Sequence, residues 1–396
     1  MSDPIHIYMN LDVVNNSTTE KQPLVFNETR NMPFLRNSQD YFCSVVRFTL
    51  QTSNSLPVFI PDILTGQNDY NKTVYAITMS LTKYTKDVSG NITSTDVFGN
   101  SRYITYNSLD FTQPEPAPPT TRVDTSSSYY FIYNINDWVD MVNFTFRLLT
   151  QEIISSFQGA GKPVSFKPPF ITYDITNGLF TIHSDNSVDA VGSSGNFDLK
   201  IAFNARLYNI LPFSSKLEQF PPIGATITNT NYILNLFNKS DANISVVYSS
   251  SDKAERYIIL QTEFSPLPLL NPIRNIYFTS NTLPIQPTLA SPPKVIGDTN
   301  IATGSVSGDI LNIITDYSLA VSASNNYNGE IIYQPAGELR LIELNSVPYL
   351  NRVDISAFWE DRRGQSYPIY LPSGANANIK LLFRHKKYNF GSTYYS

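Results

Sequence analysis

Hydrophobic and polar residues alternate most regularly over residues 353–384. Val353, Ile355, Ala357 and Trp359 share one face of an expected strand, and Asp354, Ser356 and Phe358 take the other. After the turn segment Glu360-Asp361-Arg362-Arg363-Gly364-Gln365, a return strand groups Tyr367, Ile369 and Leu371, and a final strand groups Ile379, Leu381 and Phe383. A strand with one apolar face needs a second layer to cover it, so this series is expected in the core of a β-sandwich.

The same reading upstream gives a long strand over 41–50, with Phe42, Val46, Phe48 and Leu50 on one face. Further strands are expected at 74–82, 102–106, 244–248, 256–262, 273–279, 310–321, 330–334 and 338–344. The runs 170–176 and 179–184 flank Asn177-Gly178, a pair that favours a tight two-residue hairpin turn, and Asn328-Gly329 marks another. Residues 1–39 are polar and irregular except near 5–9, and are expected to form an N-terminal arm. Pro114, Pro116, Pro118 and Pro119 make a stiff, extended connector within 112–128.

One stretch carries the helical period. From 137 to 158, Trp138, Met141, Val142, Thr145, Phe146, Leu149, Ile153 and Phe157 form a core-facing stripe, with Asn136 as the expected cap and Gly159 as the expected stop. A second, short helix over 204–211 ends at Pro212. Many short strands, one or two helices and no repeat period predict an all-β sandwich of the jelly-roll kind, and the strands exceed one simple roll, so either a second β-rich unit is inserted or two rolls stand side by side.

Composition agrees with this pattern. Of 396 residues only 15% are charged, 13% are aromatic and 26 are Pro. A net charge of −5 argues against a chain built to hold nucleic acid, and no sequence-specific nucleic-acid binding is expected. The one basic cluster, Arg384-His385-Lys386-Lys387, reads first as a solvated strand end and second as an interior-facing contact. Cys43 is the only cysteine, so no internal disulfide forms, and it is expected as buried filler. No apolar run approaches the roughly 20 residues of a membrane span, and no secretory segment follows Met1. The sequons at Asn71, Asn91 and Asn243 therefore read as chance.

Motifs for chemistry are weak. His6, His183 and His385 lie far apart and outside any metal-ligand spacing. Gly159-Ala160-Gly161-Lys162 resembles the end of a phosphate loop, but Pro163 stands where Ser or Thr is needed and the segment follows a helix. Gly192-Ser193-Ser194-Gly195 lacks the spacing of a nucleophile elbow. Glu360 and Asp361 are sequence neighbours beside Arg362 and Arg363, which suits an intersubunit contact at a turn better than an acid/base pair. No catalytic, cofactor or metal site is expected, and the chain is not read as an enzyme.

The run Asp40-Tyr41-Phe42-Cys43-Ser44-Val45-Val46-Arg47-Phe48-Thr49-Leu50, followed by Pro57-Val58-Phe59-Ile60-Pro61, resembles the opening of the minor capsid (penton) proteins of virophages, polintons and polinton-like viruses. Similar in order are Thr315-Asp316-Tyr317, Ile332-Tyr333-Gln334-Pro335, Leu339-Arg340-Leu341-Ile342-Glu343-Leu344, Val353-Asp354-Ile355-Ser356, Phe358-Trp359 and Ile379-Lys380-Leu381-Leu382-Phe383-Arg384. The helix near Trp138 and the segment Phe203-Asn204-Ala205-Arg206-Leu207-Tyr208 add to the likeness. The resemblance implies a single jelly-roll sandwich upright in an icosahedral capsid, forming homopentamers at the fivefold vertices beside the major capsid protein, with an outward inserted β-rich domain. With the Pro-rich stretch it implies a division into an arm at 1–39, a discontinuous roll at 40–84 and 251–396, and an insertion at 85–250. It implies a virion location, with assembly inside the host cell. A host receptor is a further candidate partner, although the Arg-Gly-Asp tripeptide of adenovirus-type pentons is missing. Two alternatives stay open: a trimeric double jelly-roll major capsid protein, and a receptor- or glycan-binding β module of the virion surface.

Overall fold

The computed structural model describes residues 5–52, 54–108, 114–120, 127–185, 197–218, 231–236, 244–248, 254–289, 310–319, 329–335, 339–362 and 364–388. The expectations on Asn243, Asn328, Arg363, Gly192–Gly195 and much of 112–128 lie outside the described residues. The chain forms two compact units, Met1–Pro57 with Pro272–Ala320 and Asn326–Ser396, and Val58–Asn271 with Val321–Asn325.

Eight principal strands build the first unit: β1 His6–Val14, β2 Val25–Thr29, β3 Tyr41–Gln51, β4 Ile273–Thr279, β5 Ile313–Ser318, β6 Glu330–Tyr333, β7 Arg352–Asp361 and β8 Asn376–His385. All pair antiparallel. One sheet runs β1-β8-β3-β6 and the other β2-β7-β4-β5. Ile342–Glu343 pairs beside β3, and Ser366–Pro368 returns along β7. Successive strands thus alternate between sheets, except that β4 and β5 are neighbours in one sheet, which is the eight-stranded jelly-roll order.

The alternation in the sequence sets what each sheet buries. Val353, Ile355, Ala357 and Trp359 of β7 are all buried, as are Ile379, Leu381 and Phe383 of β8. Phe48 of β3 meets Phe26 of β2 at 6.5 Å and Phe278 of β4 at 4.8 Å between ring centroids, so the two sheets interlock through edge-on aromatics. The return strand is shorter than expected. Ile369 and Leu371 are buried, but Tyr370–Leu371 leaves β7 to pair with Gln22–Pro23.

Strand β3 departs from the expected facing. Cys43 and Val45 point inward in its first half, Phe48 and Leu50 in its second, and Phe42 and Val46 are only half-buried. The pairing explains this: Leu381 lies opposite Val45 and Lys380 opposite Arg47, so Val46 is the extra residue of a β-bulge. One inserted residue moves the inward set from odd to even positions.

The second unit is inserted between β3 and β4. It has a five-stranded sheet ordered Ser215–Glu218, Asn231–Leu234, Phe197–Asn204, Lys72–Lys86 and Ile92–Thr105, and a four-stranded sheet ordered Ile244–Tyr248, Ala254–Gln261, Leu179–Asp185 and Phe170–Asp174. Boundaries therefore differ from those expected. Residues 58–84 and 251–271 fall in this unit, because Lys72–Lys86 pairs with Phe197–Asn204. The stretch expected as an arm holds β1 and β2.

Helix α1, Ile135–Gly159, buries the whole stripe read from its sequence. Trp138 packs edge-on against Phe59 at 5.0 Å and Tyr75 at 5.4 Å, and Phe157 against Phe98 at 4.7 Å. Its ends lie two residues outside the expected ones. Asn134 caps the start by accepting from the Asn136 amide, and Asn136 is already helical. At the other end Gly161 adopts φ +72, its N–H donates to Gln158 O at 2.9 Å, and Lys162 N–H donates to Phe157 O at 2.9 Å. These two bonds complete a Schellman cap, which makes Gly161 and not Gly159 the stop. The short helix follows at Ala205–Ile210, capped by Asn204. The expected two-residue turn at Asn177-Gly178 is instead part of a four-residue link, since Asp174 pairs with Leu179 and only Gly178 has positive φ. The Asn177 side chain turns back to accept from the Leu179 amide, as Asp174 does from Thr176.

Candidate assembly surfaces

The tip after β7 is fixed from within. Glu360 lies 3.7 Å from Arg274 Nη1 through Oε1, and its Oε2 accepts from Asn275 Nδ2 at 3.3 Å. Asp361 closes the turn: its N–H donates to Gln365 O at 2.9 Å and its Oδ1 accepts from the Gln365 amide at 2.8 Å. The Arg362 amide donates to Pro272 O at 3.2 Å, and the Arg362 residue is exposed. Both carboxylates thus hold the shape of the tip, and among the described residues of the turn Arg362 and Gln365 are exposed.

The basic run straddles the end of β8, with Arg384 and His385 inside the strand, and is dispersed. Arg384 sits between His6 and Phe42 in the ladder and is half-buried. His385 stands edge-on to Tyr41 at 5.0 Å, and its Nδ1 accepts from the Lys387 amide at 3.1 Å. Lys386 reaches Glu343 at 3.9 Å and lies over the Phe42 ring at 5.3 Å. Lys387 is the exposed member.

The remaining chemical candidates are structural. Cys43 is fully buried, and burial pushes its thiol up to about 12 despite a backbone hydrogen bond from Ser44, so it carries no thiolate at neutral pH. His183 stacks on Phe170 at 4.5 Å and its Nε2 lies 3.0 Å from Thr172 Oγ1; burial pushes its pKa down. Gly159 to Lys162 is the end of α1, with Lys162 paired to Asp96 at 2.7 Å. Among the described residues no group of three or more His, Cys, Asp or Glu side chains could hold a metal. No helix of the described residues is long and apolar enough to cross a membrane.

Sequence reasoning missed β1 as a surface. The alternation of Ile7, Met9, Leu11 and Val13 was there to read, but the polar Asn10 and Asp12 stopped the expected strand at residue 9. Those two residues face outward, while Met9 and Leu11 are buried. On the outer face Asn378 of β8 links two strands, donating to Asp12 and accepting from Arg47 Nη2 at 3.1 Å.

Comparison with known proteins gives a consistent picture. A family described as Sputnik minor capsid protein V18/19 matches residues 7–385. V18, an uncharacterized protein of Sputnik virophage, is 28% identical over 157 residues, 36% of this chain and 80% of V18. Structural protein V19 of the same virophage is 30% identical over 131 residues, 33% of this chain and 56% of V19. The fold is similar to a chain in the cryo-EM structure of the Sputnik virophage, with TM-score 0.72 and 22% identity over 97% of this chain and 99% of that one. It is also similar to the mavirus penton protein, with TM-score 0.58 and 16% identity over 96% and 99%.

Proposed function

Because the chain belongs to the Sputnik minor capsid protein V18/19 family, we propose that it is the penton of its virion, closing the fivefold vertices of an icosahedral shell as a homopentamer. Its family makes it a structural protein of the virion capsid. The observation that carries the finer reading is the topology: among the described residues one eight-stranded roll, with the strands of a separate β-rich unit all lying between β3 and β4 in sequence. The fold shared with the mavirus penton protein supports it. A double jelly-roll major capsid protein would repeat the roll, whereas the sheets of the second unit follow different orders and α1 packs on them.

In this reading the major capsid protein is the neighbour in the shell, and the roll supplies the contacts. Exposed Arg362, on the tip shaped by Glu360 and Asp361, and exposed Lys387, beyond Arg384, His385 and Lys386, are proposed contact residues. A fivefold ring joins two different flanks of one subunit, so no self-complementary patch is required. The reading involves no catalytic step and no cofactor.

Native mass spectrometry of the purified chain and cryo-EM of intact particles test the proposal. A pentamer, with density for this chain at the vertices alone, is expected. A trimer, or an abundance matching the shell's main component, overturns it.

A further inference from the structure

Strand β1 ends its sheet, and among the described residues nothing pairs with its outer side. The direction of its main-chain groups follows from three hydrogen bonds. His385 N–H donates to Ile5 O at 2.9 Å, Asn15 N–H donates to Ala375 O at 3.0 Å, and Gly374 N–H donates to Asn15 O at 2.8 Å. In an antiparallel ladder bonded and non-bonded pairs alternate. With Ile5 and Asn15 bonded to the β8 side, the odd residues of the unbroken register from His6 to Val14 face β8. His6, Tyr8, Asn10, Asp12 and Val14 therefore aim every N–H and C=O at the open edge.

That edge has few of the usual protections, Asp12 being the one acidic side chain among its outward-aiming residues. Native edge strands are shortened, bulged, or broken by Pro or Lys so that they do not recruit another strand. β1 is nine residues long, runs in register throughout and has neither Pro nor Lys. Large apolar groups stand exposed along it: Tyr8 at 57%, Val14 at 56% and, just before it, Ile5 at 44%. An edge this long and regular, with apolar side chains alongside, matches the recognition chemistry of an added strand.

We propose that the outer edge of β1 accepts an extended strand of a second copy of this chain, continuing the β1-β8-β3-β6 sheet across the subunit boundary. This rests on the capsid reading above, which places many copies side by side. Two features favour a second copy. The sheet ends in unlike edges, β1 and β6, as a ring of head-to-tail contacts requires. The β6 edge also exposes Ile332, so both ends carry apolar surface at the boundary.

The parity of the ladder supplies the test. Asn10→Pro removes an outward N–H and leaves the β1–β8 bonds intact, so the monomer folds; Leu11→Pro cuts an inward bond and destabilises the roll. Asn10→Lys blocks the edge without changing the backbone. The assembled wild type is expected to protect the amides of Tyr8, Asn10 and Asp12 from hydrogen exchange, and both Asn10 variants to stay folded but lose the oligomer. If Asn10→Pro fails to fold, the exchange data and Asn10→Lys decide. Asn10 variants that assemble like wild type, a pentamer whose β1 amides exchange freely, or protection arising only on adding another capsid protein each overturn the second-copy edge. The pentamer itself, measured separately, reports on the penton reading.

Discussion

Phe48 and Phe278 meet ring edge to ring face at 4.8 Å across the roll, joining strands that flank the inserted unit in sequence. Both are fully buried. Phe48→Ala removes the ring that Phe26 also packs on, and a cavity at that point should cost about 3–5 kcal/mol. Chemical denaturation followed by far-UV circular dichroism reads this directly. Trp359 is 2% exposed, so Trp359→Asp places an uncompensated charge in the same core and should abolish folding or assembly. Normal assembly of that variant would show that the β7 facing is wrong.

Asp354 ties the segment after β4 to β7. Its Oδ1 accepts from Ser280 Oγ at 2.9 Å, the Asn281 and Thr282 amides at 3.0 and 2.9 Å, and Thr282 Oγ1 at 2.7 Å. Burial is the largest single influence and opposes ionisation, but the hydrogen bonds together outweigh it and hold the carboxyl below its ordinary 3.8. A depressed folded value means the stabilisation is complete above the unfolded value and is lost as pH falls through the folded one. Asp354→Asn should lower stability at neutral pH by about 1–2 kcal/mol. It should also flatten the loss of stability as pH falls below the ordinary carboxyl value of 3.8, which melting curves across the acid range would show.

The two glycines at the end of α1 should respond in opposite directions. Gly159 is helical, and an added Cβ there meets nothing within 4 Å, so Gly159→Ala should stabilise by up to about 1 kcal/mol. Space around Gly161 is equally open, but its φ of +72 strains any L side chain, so Gly161→Ala should cost about 1 kcal/mol. Equal effects of the two substitutions would place the helix end elsewhere.

What the sequence made legible divides along a physical line. Facing was readable wherever a strand or helix kept one period, as in β7, β8 and α1, because burial selects side chains position by position. Fold class followed from the number of such elements. The errors fall where the backbone changes phase or chooses between near-equivalent caps. Asn134 and Asn136 are both good cap residues, and only the chain's approach to the helix decides between them. The extent of β1 was hidden because an edge strand tolerates Asn10 and Asp12 on its outward side. The candidate contacts were visible as charges, but not that Glu360 and Asp361 hold their own turn or that Lys386 turns back onto Phe42.

The bulge at Val46 makes the sharpest case, because it predicts that a deletion is tolerated at one residue of β3 and not three residues on. Opposite Leu381 and Lys380, β3 presents Val45, Val46 and Arg47, so Val46 is surplus to the ladder. Removing it joins Val45 to Arg47 in ordinary alternation and leaves Cys43, Val45, Phe48 and Leu50 all facing inward. The loss is then confined to a half-buried valine, roughly 1 kcal/mol. Removing Thr49 has no such escape. Either Leu50 turns to solvent while Gln51 enters the core, or Phe48 and everything before it up to the bulge reverses, and each outcome should cost about 3 kcal/mol or more. Thermal melting of the two deletion variants should therefore give a cooperative transition near wild type for the first and little or none for the second. The reverse order would mean that the phase change in β3 lies elsewhere than at Val46.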